Sequence, residues 1–277
     1  MTTNHRWGRS LCGTLVCVAA LGPDVHADQF FCAGTDNTWN DGSNWKSNAL
    51  CQGADAGVPT AADKVTILSG KTCNVDVSAA EADHIVVEST ATLQIDTGNT
   101  LTLDGDGNLG VSTITGTIKL EGSSSTLAII THNQTFAGTG QIIGGDNGAR
   151  ITISAFEKLT NEATIEGKLA IVPATAGDDA TFRNAGTVHA NASGTLHVNT
   201  KFVEDTAGTD RWKVSTSTSA ILRFNPTNTT IPTIDGDFVV SNGTLDVDNK
   251  GFLTHGDLSM TGGTIDVASG ALVNFSI

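Results

Sequence analysis

Two histidines eight positions apart are the first residues of this sequence whose types and spacing suggest chemistry. They are His189 and His197, in the segment GTVHANASGTLHV. Two imidazoles bind a metal ion when their nitrogens converge to roughly 2 Å from it. The alternating pattern instead directs the two side chains outward from different strands of one repeat, with a turn between them. We therefore predict no shared metal, and expect His189 to approach Glu166 in the preceding repeat.

Asp246, Asp248 and Asp266 lie in two related phrases, GTLDVD and GTIDV, near the end of the sequence. If one repeat separates the phrases, Asp246 and Asp266 stack, and like carboxylates at that spacing repel unless a cation or a proton intervenes. Carboxylate oxygens are the ligands that calcium prefers. A calcium site is therefore one hypothesis, and simple exposure to water, which we favour, is the other. We predict no other cofactor.

Four residues are candidates for contact with a glycan: Trp39, Trp45, Arg211 and Trp212. The first two tryptophans have an alternative role as a cover over one end of the fold. We favour that role because the chain has no tyrosine and few other aromatic residues to extend a sugar-stacking surface. Arg211 and Trp212 fall in a stretch without recognisable repeats, residues 200–242, where a cleft is hardest to detect from sequence.

The elements that must position these residues are short β-strands. Alternating apolar and polar runs such as KVTIL (64–68), TLQI (92–95) and RITI (150–153) are separated by clusters of glycine, asparagine, aspartate and serine. No long stretch after residue 27 has the apolar spacing of an amphipathic helix. The sequence therefore predicts an all-β protein.

One phrase, a small residue followed by threonine or glutamine and then an apolar residue, returns along the chain. It starts at Gly116, Gly140, Ala163, Gly186, Gly243 and Gly263. Apart from one long gap the interval is just over twenty residues, which is typical of a solenoid whose coils bury their apolar faces against one another. We predict a single-domain parallel β-helix, right-handed, over residues 63–277, with roughly nine coils and an irregular stretch at 200–242.

Alignment of these phrases assigns the outward side chains to columns. One column is predicted to contain Lys119, Ile143, Glu166, His189, Asp246 and Asp266. A second is predicted to contain Ala128, Thr152, Ala170 and His197. The basic residues Arg150, Arg183, Arg211, Lys213 and Arg223 share no predicted column with the aspartates. This scatter argues against the grouped acidic and basic residues that glycoside chemistry needs.

The first 27 residues have the pattern of a secretory signal peptide. A basic segment with Arg6 and Arg9 precedes the apolar run LCGTLVCVAAL, and Val25-His26-Ala27 has the small residues of a cleavage site. The predicted location is therefore secreted or cell-surface, without a membrane segment after cleavage. The net formal charge of −14 repels phosphate backbones and anionic lipid surfaces, so we expect no nucleic acid and no membrane as partner.

Three cysteines, Cys32, Cys51 and Cys73, remain after that cleavage. In the strand TCNVDV, Cys73 shares a face with two valines, which predicts a buried thiol in the core. Cys32 and Cys51 lie in a turn-rich segment, and an oxidising compartment favours a disulfide between them. We predict that this bridge closes an irregular N-terminal cap over residues 28–62.

The segment TWNDGSNWKSNALCQGADAGVPTAADKVTILSGKTCNVDV combines Trp39, Trp45 and Pro59 with the strand pattern that follows. It resembles the start of secreted bacterial β-helix proteins and is similar to the eight-glycine domain of extracellular β-helix proteins, over about residues 38–105. The later repeats resemble pectin-lyase-like and autotransporter-passenger solenoids. The resemblance implies a secreted or cell-surface β-helix with an adhesive role and supplies no catalytic residues.

The function predicted from these observations is that of a non-enzymatic, adhesin-like module, stalk or matrix component. A carbohydrate-active lyase or hydrolase is the first alternative, and a solenoid that binds calcium or ice is the second. Extracellular glycans or surface proteins are the expected partners. The apolar last coil, with Leu272, Val273, Phe275 and Ile277, predicts end-to-end self-association or continuation into further coils.

Overall fold

The computed structural model describes residues 27–33, 36–105, 110–205, 208–215, 217–226, 233–248 and 251–275. Within these ranges the chain forms β-strands and one short 3₁₀ turn, Gly42–Asn44, and contains no α-helix. The predicted signal peptide lies outside the described residues, apart from Ala27. The first strand begins at Asp28, directly after the predicted cleavage site.

The strands follow one another at short intervals along the chain. In chain order they are β1 (Asp28–Phe31), β2 (Trp45–Lys46), β3 (Lys64–Ile67), β4 (Thr72–Val75), β5 (Ala80–Ala82), β6 (His84–Val87), β7 (Thr92–Ile95), β8 (Thr100–Leu103), β9 (Gly110–Ile114), β10 (Thr117–Leu120), β11 (Thr126–Ile129), β12 (Gln134–Ala137), β13 (Gln141–Ile153), β14 (Lys158–Asn161), β15 (Thr164–Pro173), β16 (Thr181–Asn184), β17 (Thr187–Ala190), β18 (Gly194–Val198), β19 (Phe202–Asp205), β20 (Gly208–Val214), β21 (Ala220–Phe224), β22 (Thr233–Ile234), β23 (Gly236–Val240), β24 (Thr244–Val247), β25 (Gly251–Thr254), β26 (Leu258–Met260), β27 (Thr264–Val267) and β28 (Leu272–Phe275).

These strands stack into three parallel columns, which we call sheets 1, 2 and 3. Sheet 1 runs from β3 through β6, β9, β12, β14, β16 and β19. A separate parallel ladder, β22, β25 and β28, continues this column, and its first strand contacts β19. Sheet 2 contains β4, β7, β10, β17, β20, β23 and β26, and sheet 3 contains β5, β8, β11, β18, β21, β24 and β27. The long strands β13 and β15 belong to both sheets. The chain makes about eight turns, so the predicted all-β parallel solenoid is confirmed.

The core is a set of inward columns that run the length of the solenoid. In sheet 2 the register stacks Cys73, Leu93, Ile118, Ile142, Ile165, Val188, Trp212 and Phe238. Each of these side chains is at most 1% exposed, because alternation along a strand sends every second residue inward. The buried thiol predicted for Cys73 is confirmed, and burial raises the pKa of that thiol well above its usual range.

The small residue that opens the repeated phrase is required by the close approach of the preceding coil. A Cβ atom on Gly140 would lie 2.3 Å from the carbonyl oxygen of Gly116, and one on Gly186 would lie 2.0 Å from that of Ala163. Both distances are shorter than any van der Waals contact, so a larger residue would push neighbouring coils apart. The phrase is therefore explained by the packing of successive coils.

The N-terminal segment closes one end of the solenoid. Strand β1 pairs with β3 in parallel and with β2 in antiparallel orientation, so it forms a further layer on sheet 1. Phe31, Trp39 and Trp45 of this segment are fully buried, and the ring centroid of Trp45 lies 4.9 Å from that of Trp39 and 5.0 Å from that of Phe31. The indole nitrogen of Trp45 donates a hydrogen bond of 2.8 Å to the carbonyl oxygen of Trp39. The predicted disulfide, Cys32–Cys51, is present.

The stretch 200–242, predicted to be irregular, departs from that expectation. Its described residues include strands β19 to β23, which pair in parallel with strands of neighbouring coils, with one register shift between Gly208 and Trp212. The sequence conceals them because their coils begin without the repeated phrase. Aromatic residues replace the aliphatic ones here. The rings of Trp212, Phe238 and Phe252 stack in sequence, and Phe224 contacts Trp212 edge-on.

Candidate functional site

The outward row of sheet 3 brings together one histidine, one arginine and two aspartates. Parallel pairing places His197 beside Arg223, Arg223 beside Asp246 and Asp246 beside Asp266, on strands β18, β21, β24 and β27. We call these four residues the charged row. The stacking predicted for Asp246 and Asp266 is confirmed, whereas the separation of basic residues from the aspartates is wrong.

The predicted columns fail because the same phrase opens strands in two sheets. It begins β17 at Gly186 in sheet 2, but it begins β24 at Gly243 and β27 at Gly263 in sheet 3. Asp246 therefore lies in the row of His197, and the row of His189 continues to Lys213 instead. The second predicted column is also wrong in part.

His197 does pair with Ala170, as predicted, but the neighbour of Ala170 is Arg150 and Thr152 lies opposite Val172. A register shift between Gly145 and Arg150 causes this offset, because β13 has more residues in that interval than β15. Extra residues on one of two paired strands form a bulge, which sequence alignment by phrases does not locate.

Arg223 pairs with Asp246 of the charged row and with the nearby Asp248. Its Nη2 and Nε atoms lie 2.6 and 2.7 Å from Oδ2 of Asp246, and its Nε atom lies 3.6 Å from Oδ2 of Asp248. The side chain of Asp246 is only 14% exposed, so the pair is partly shielded from water. The arginine thus supplies the positive charge that the calcium hypothesis assigns to a metal ion. Over the described ranges, no three His, Cys, Asp or Glu side chains group so as to hold a metal.

His197 occupies the end of the charged row that faces the middle of the solenoid. Its Nε2 atom is buried and has no hydrogen-bond partner among the residues that the structure describes. Burial lowers the pKa of His197, and the positive charge of Arg223 lowers it further, while Asp248 and Asp246 act in the opposite direction. The imidazole is therefore held toward its neutral form.

A second polar group lies on the outward face of sheet 2. Glu166 on β15 and His189 on β17 pair in register, and the Nδ1 atom of His189 lies 3.8 Å from Oε2 of Glu166. The approach of these two side chains is confirmed. Asn191 donates a hydrogen bond of 2.8 Å to the same carboxylate oxygen, and the Nε2 atom of His189 lies 2.5 Å from Oγ of Ser215.

Ser215 is a member of this group that the sequence does not reveal. It follows β20, 26 residues after His189, in the stretch where no phrase marks the register. Its backbone N–H donates to the carbonyl oxygen of Ala190, which continues the ladder between consecutive coils and fixes the position of the serine. His189 and His197 lie on different strands of one coil, β17 and β18, as predicted.

The aromatic residues predicted to contact a glycan lie in the core. Trp39, Trp45 and Trp212 are each 0% exposed, so no face of these rings is available for stacking on a sugar, and this prediction is corrected. The burial of Trp39 and Trp45 fits the other role predicted for them, that of a cover over one end of the core. Arg211 is half-buried, and its guanidinium donates hydrogen bonds to the carbonyl oxygens of Ala185 and Gly186.

Comparison with known proteins relates the first half of this solenoid to one family. Residues 44–164 match the G8 domain, the eight-glycine domain that the N-terminal segment resembles. The match extends beyond the predicted resemblance, from the cap to the start of β15. No curated protein and no solved structure matches the chain. The G8 match and the disulfide together indicate an extracellular context.

Proposed function

We propose that this protein is secreted, as in the bacterial β-helix proteins that its N-terminal segment resembles, and acts as an adhesin-like module, stalk or matrix component. The observation that carries the proposal is the continuous buried core, which extends from the cap to Phe252, with Leu258, Ile265, Val273 and Phe275 partly buried against it. A solenoid of this kind is stabilised by contacts between neighbouring coils, and it offers extended outward faces to a partner. The role requires no catalytic step.

The disulfide supports the extracellular part of the proposal, because reduced cytosol does not maintain structural disulfides. Export is tested by expressing the full chain in a secreting host and sequencing the N-terminus of the protein in the medium. We expect the mature chain to begin at Asp28. Retention of the protein inside the cell, with residues 1–27 intact, contradicts this part of the proposal.

The adhesive part of the proposal states that the outward faces of the solenoid bind a partner. We expect the secreted protein to bind extracellular glycans or surface proteins, measured on a glycan array and on immobilised matrix proteins. Charge reversal at Asp266, on the exposed end of the charged row, is a suitable variant because the side chain is not part of the core. Absence of binding to both classes by the folded protein contradicts an adhesive role.

A carbohydrate-active enzyme is the second candidate, and the position of Arg223 between Asp246 and Asp248 favours it. Paired carboxylates beside a cation are the groups that cleavage of a glycosidic bond uses. The test is the appearance of new reducing ends in a panel of polysaccharides, with Asp246→Asn as the comparison. Equal or absent release by the two proteins removes this candidate.

A further inference from the structure

The group on sheet 2 has the arrangement of an acyl-transfer site. Three side chains follow one another in space: the hydroxyl of Ser215, the imidazole of His189 and the carboxylate of Glu166. They come from three successive coils, so the parallel register of β15, β17 and β20 holds them in this order. A nucleophile in contact with a base that a third group orients is the signature of nucleophilic catalysis.

We propose that Ser215, His189 and Glu166 form a serine hydrolase site that acts on carboxylic esters, beyond the proposed adhesive function. The distance of 2.5 Å between Oγ of Ser215 and Nε2 of His189 is within reach for proton transfer. The opposite ring atom, Nδ1, faces Glu166 at 3.8 Å. A proton on Nδ1 leaves Nε2 as the acceptor, and the carboxylate stabilises the imidazolium that forms.

Asn191 fixes the third member of this site. It donates a hydrogen bond of 2.8 Å to Oε2 of Glu166, the same oxygen that faces His189. The carboxylate is 15% and the imidazole 19% exposed, so their attraction is less screened than that of a surface ion pair. Asn191 is therefore a positioning residue, since it acts through Glu166.

The reaction balances with water as the second substrate. Oγ of Ser215 attacks the acyl carbon while its proton passes to Nε2 of His189, and the ester C–O bond breaks as the alcohol departs with that proton. A water molecule then gives a proton to Nε2 of His189 and attacks the acyl carbon. The acyl C–Oγ bond breaks, the carboxylic acid is released, and His189 returns the proton to Oγ of Ser215. We assign esters because an alkoxide leaves more readily than the nitrogen of an amide.

The location of the site on an outward sheet face indicates which class of ester it would accept. His189 points outward from sheet 2, and Ser215 lies at the end of β20, partly exposed. An outward sheet face accommodates an extended chain that carries short acyl groups, and the solenoid provides such a face along its length. The expected substrate is therefore a small acyl group on an extracellular polymer, for which p-nitrophenyl acetate is a soluble probe.

Covalent labelling tests the nucleophile directly. The purified chain is treated with diisopropyl fluorophosphate, which loses fluoride to an activated serine, and the adduct is located by mass spectrometry. We expect a single adduct at Ser215, absent from the Ser215→Ala and His189→Gln variants and retained in Ser193→Ala, whose serine lies in an exposed turn of the same coil. Labelling at another residue, or none at Ser215, overturns the proposal.

Hydrolysis of p-nitrophenyl acetate tests the whole site. Ser215→Ala and His189→Gln should each lower the rate above buffer by about 10²-fold or more. Glu166→Gln should lower kcat, because it removes the charge that stabilises the imidazolium while retaining an acceptor for Asn191. Circular dichroism and melting curves identify any variant that fails to fold. Wild-type rates in folded Ser215→Ala refute the site and leave the adhesive proposal intact.

Discussion

The two ends of the solenoid have similar strands but differ in what covers them. At the N-terminal end three aromatic residues of the cap, Phe31, Trp39 and Trp45, are fully buried and join the core. In the last coil Met260 is 46% and Leu272 47% exposed, although their strands pair in the same parallel register as those of the interior. Alternation of apolar residues thus specifies a strand and its face, while burial depends on the presence of another layer.

The largest expected effect comes from opening the covered end. Replacement of Trp45 by alanine removes the ring that contacts both Phe31 and Trp39, and leaves a cavity in the cap. We expect a loss of about 3–5 kcal/mol in the free energy of unfolding, measured by denaturant titration. Leu272→Ala, at the uncovered end, is the control and should cost less than about 1 kcal/mol. Equal losses would show that the cap contributes no special stability.

Loss of the disulfide should weaken the covered end to a smaller extent. Cys32 and Cys51 are 19 residues apart, and a bridge over such a loop contributes about 3 kcal/mol by restricting the unfolded chain. Reduction, or the double change of both residues to serine, should therefore lower the melting temperature. The double variant should show no further change with reductant. A further decrease in that variant would indicate that reductant acts elsewhere.

Hydrogen exchange compares the two ends without any substitution. Amides of β26 and β28 should exchange at least roughly tenfold faster than those of β4 and β7, because β26 and β28 have no fully buried side chain among their described residues. Tenfold corresponds to about 1.4 kcal/mol in local stability. Mass spectrometry of proteolytic fragments measures both regions in one experiment. Uniform protection along the chain would mean that the last coil is covered in solution.

The smallest effect concerns pH and the charged row. The folded state holds the pKa of His197 below its ordinary value of about 6.5, so the unfolded chain takes up a proton first as the pH falls. Stability should therefore decrease as the pH falls below about 6.5, and level off below the folded pKa. Melting temperatures of the wild type and His197→Gln between pH 7.5 and pH 5 should diverge accordingly. Parallel curves for the two proteins would exclude His197 as the cause.

The fold could be predicted because it depends on local patterns. Alternation of apolar and polar residues predicts the strands. The repeated small residue marks close contacts between coils, such as that between Gly140 and Gly116, where no larger residue fits. Cys73 and the Cys32–Cys51 pair followed from the same alternation. The alternation and the small residue repeat along the chain, so each coil provides independent support for the solenoid fold.

The candidate sites depend on register between coils, which the sequence does not encode locally. One phrase opens strands of both sheet 2 and sheet 3. Alignment of the phrases therefore places Asp246 in the row of His189 and does not detect its true neighbour, Arg223. The contact of Ser215 with His189 spans 26 residues of chain and leaves no mark in either local segment. If one coil shifts by two residues against the next, every outward side chain has a new neighbour, while the apolar side chains still point inward.

The parallel stacking also sets the length of this molecule in equal steps. Each coil pairs only with the coil before it and the coil after it, and successive coils are about 4.8 Å apart. Insertion of one whole coil between β7 and β10, which pair directly, would lengthen the stack by that single step and leave both ends with their original neighbours. The distance between anything attached at the two ends is thus set by counting coils, which gene duplication can adjust in equal increments.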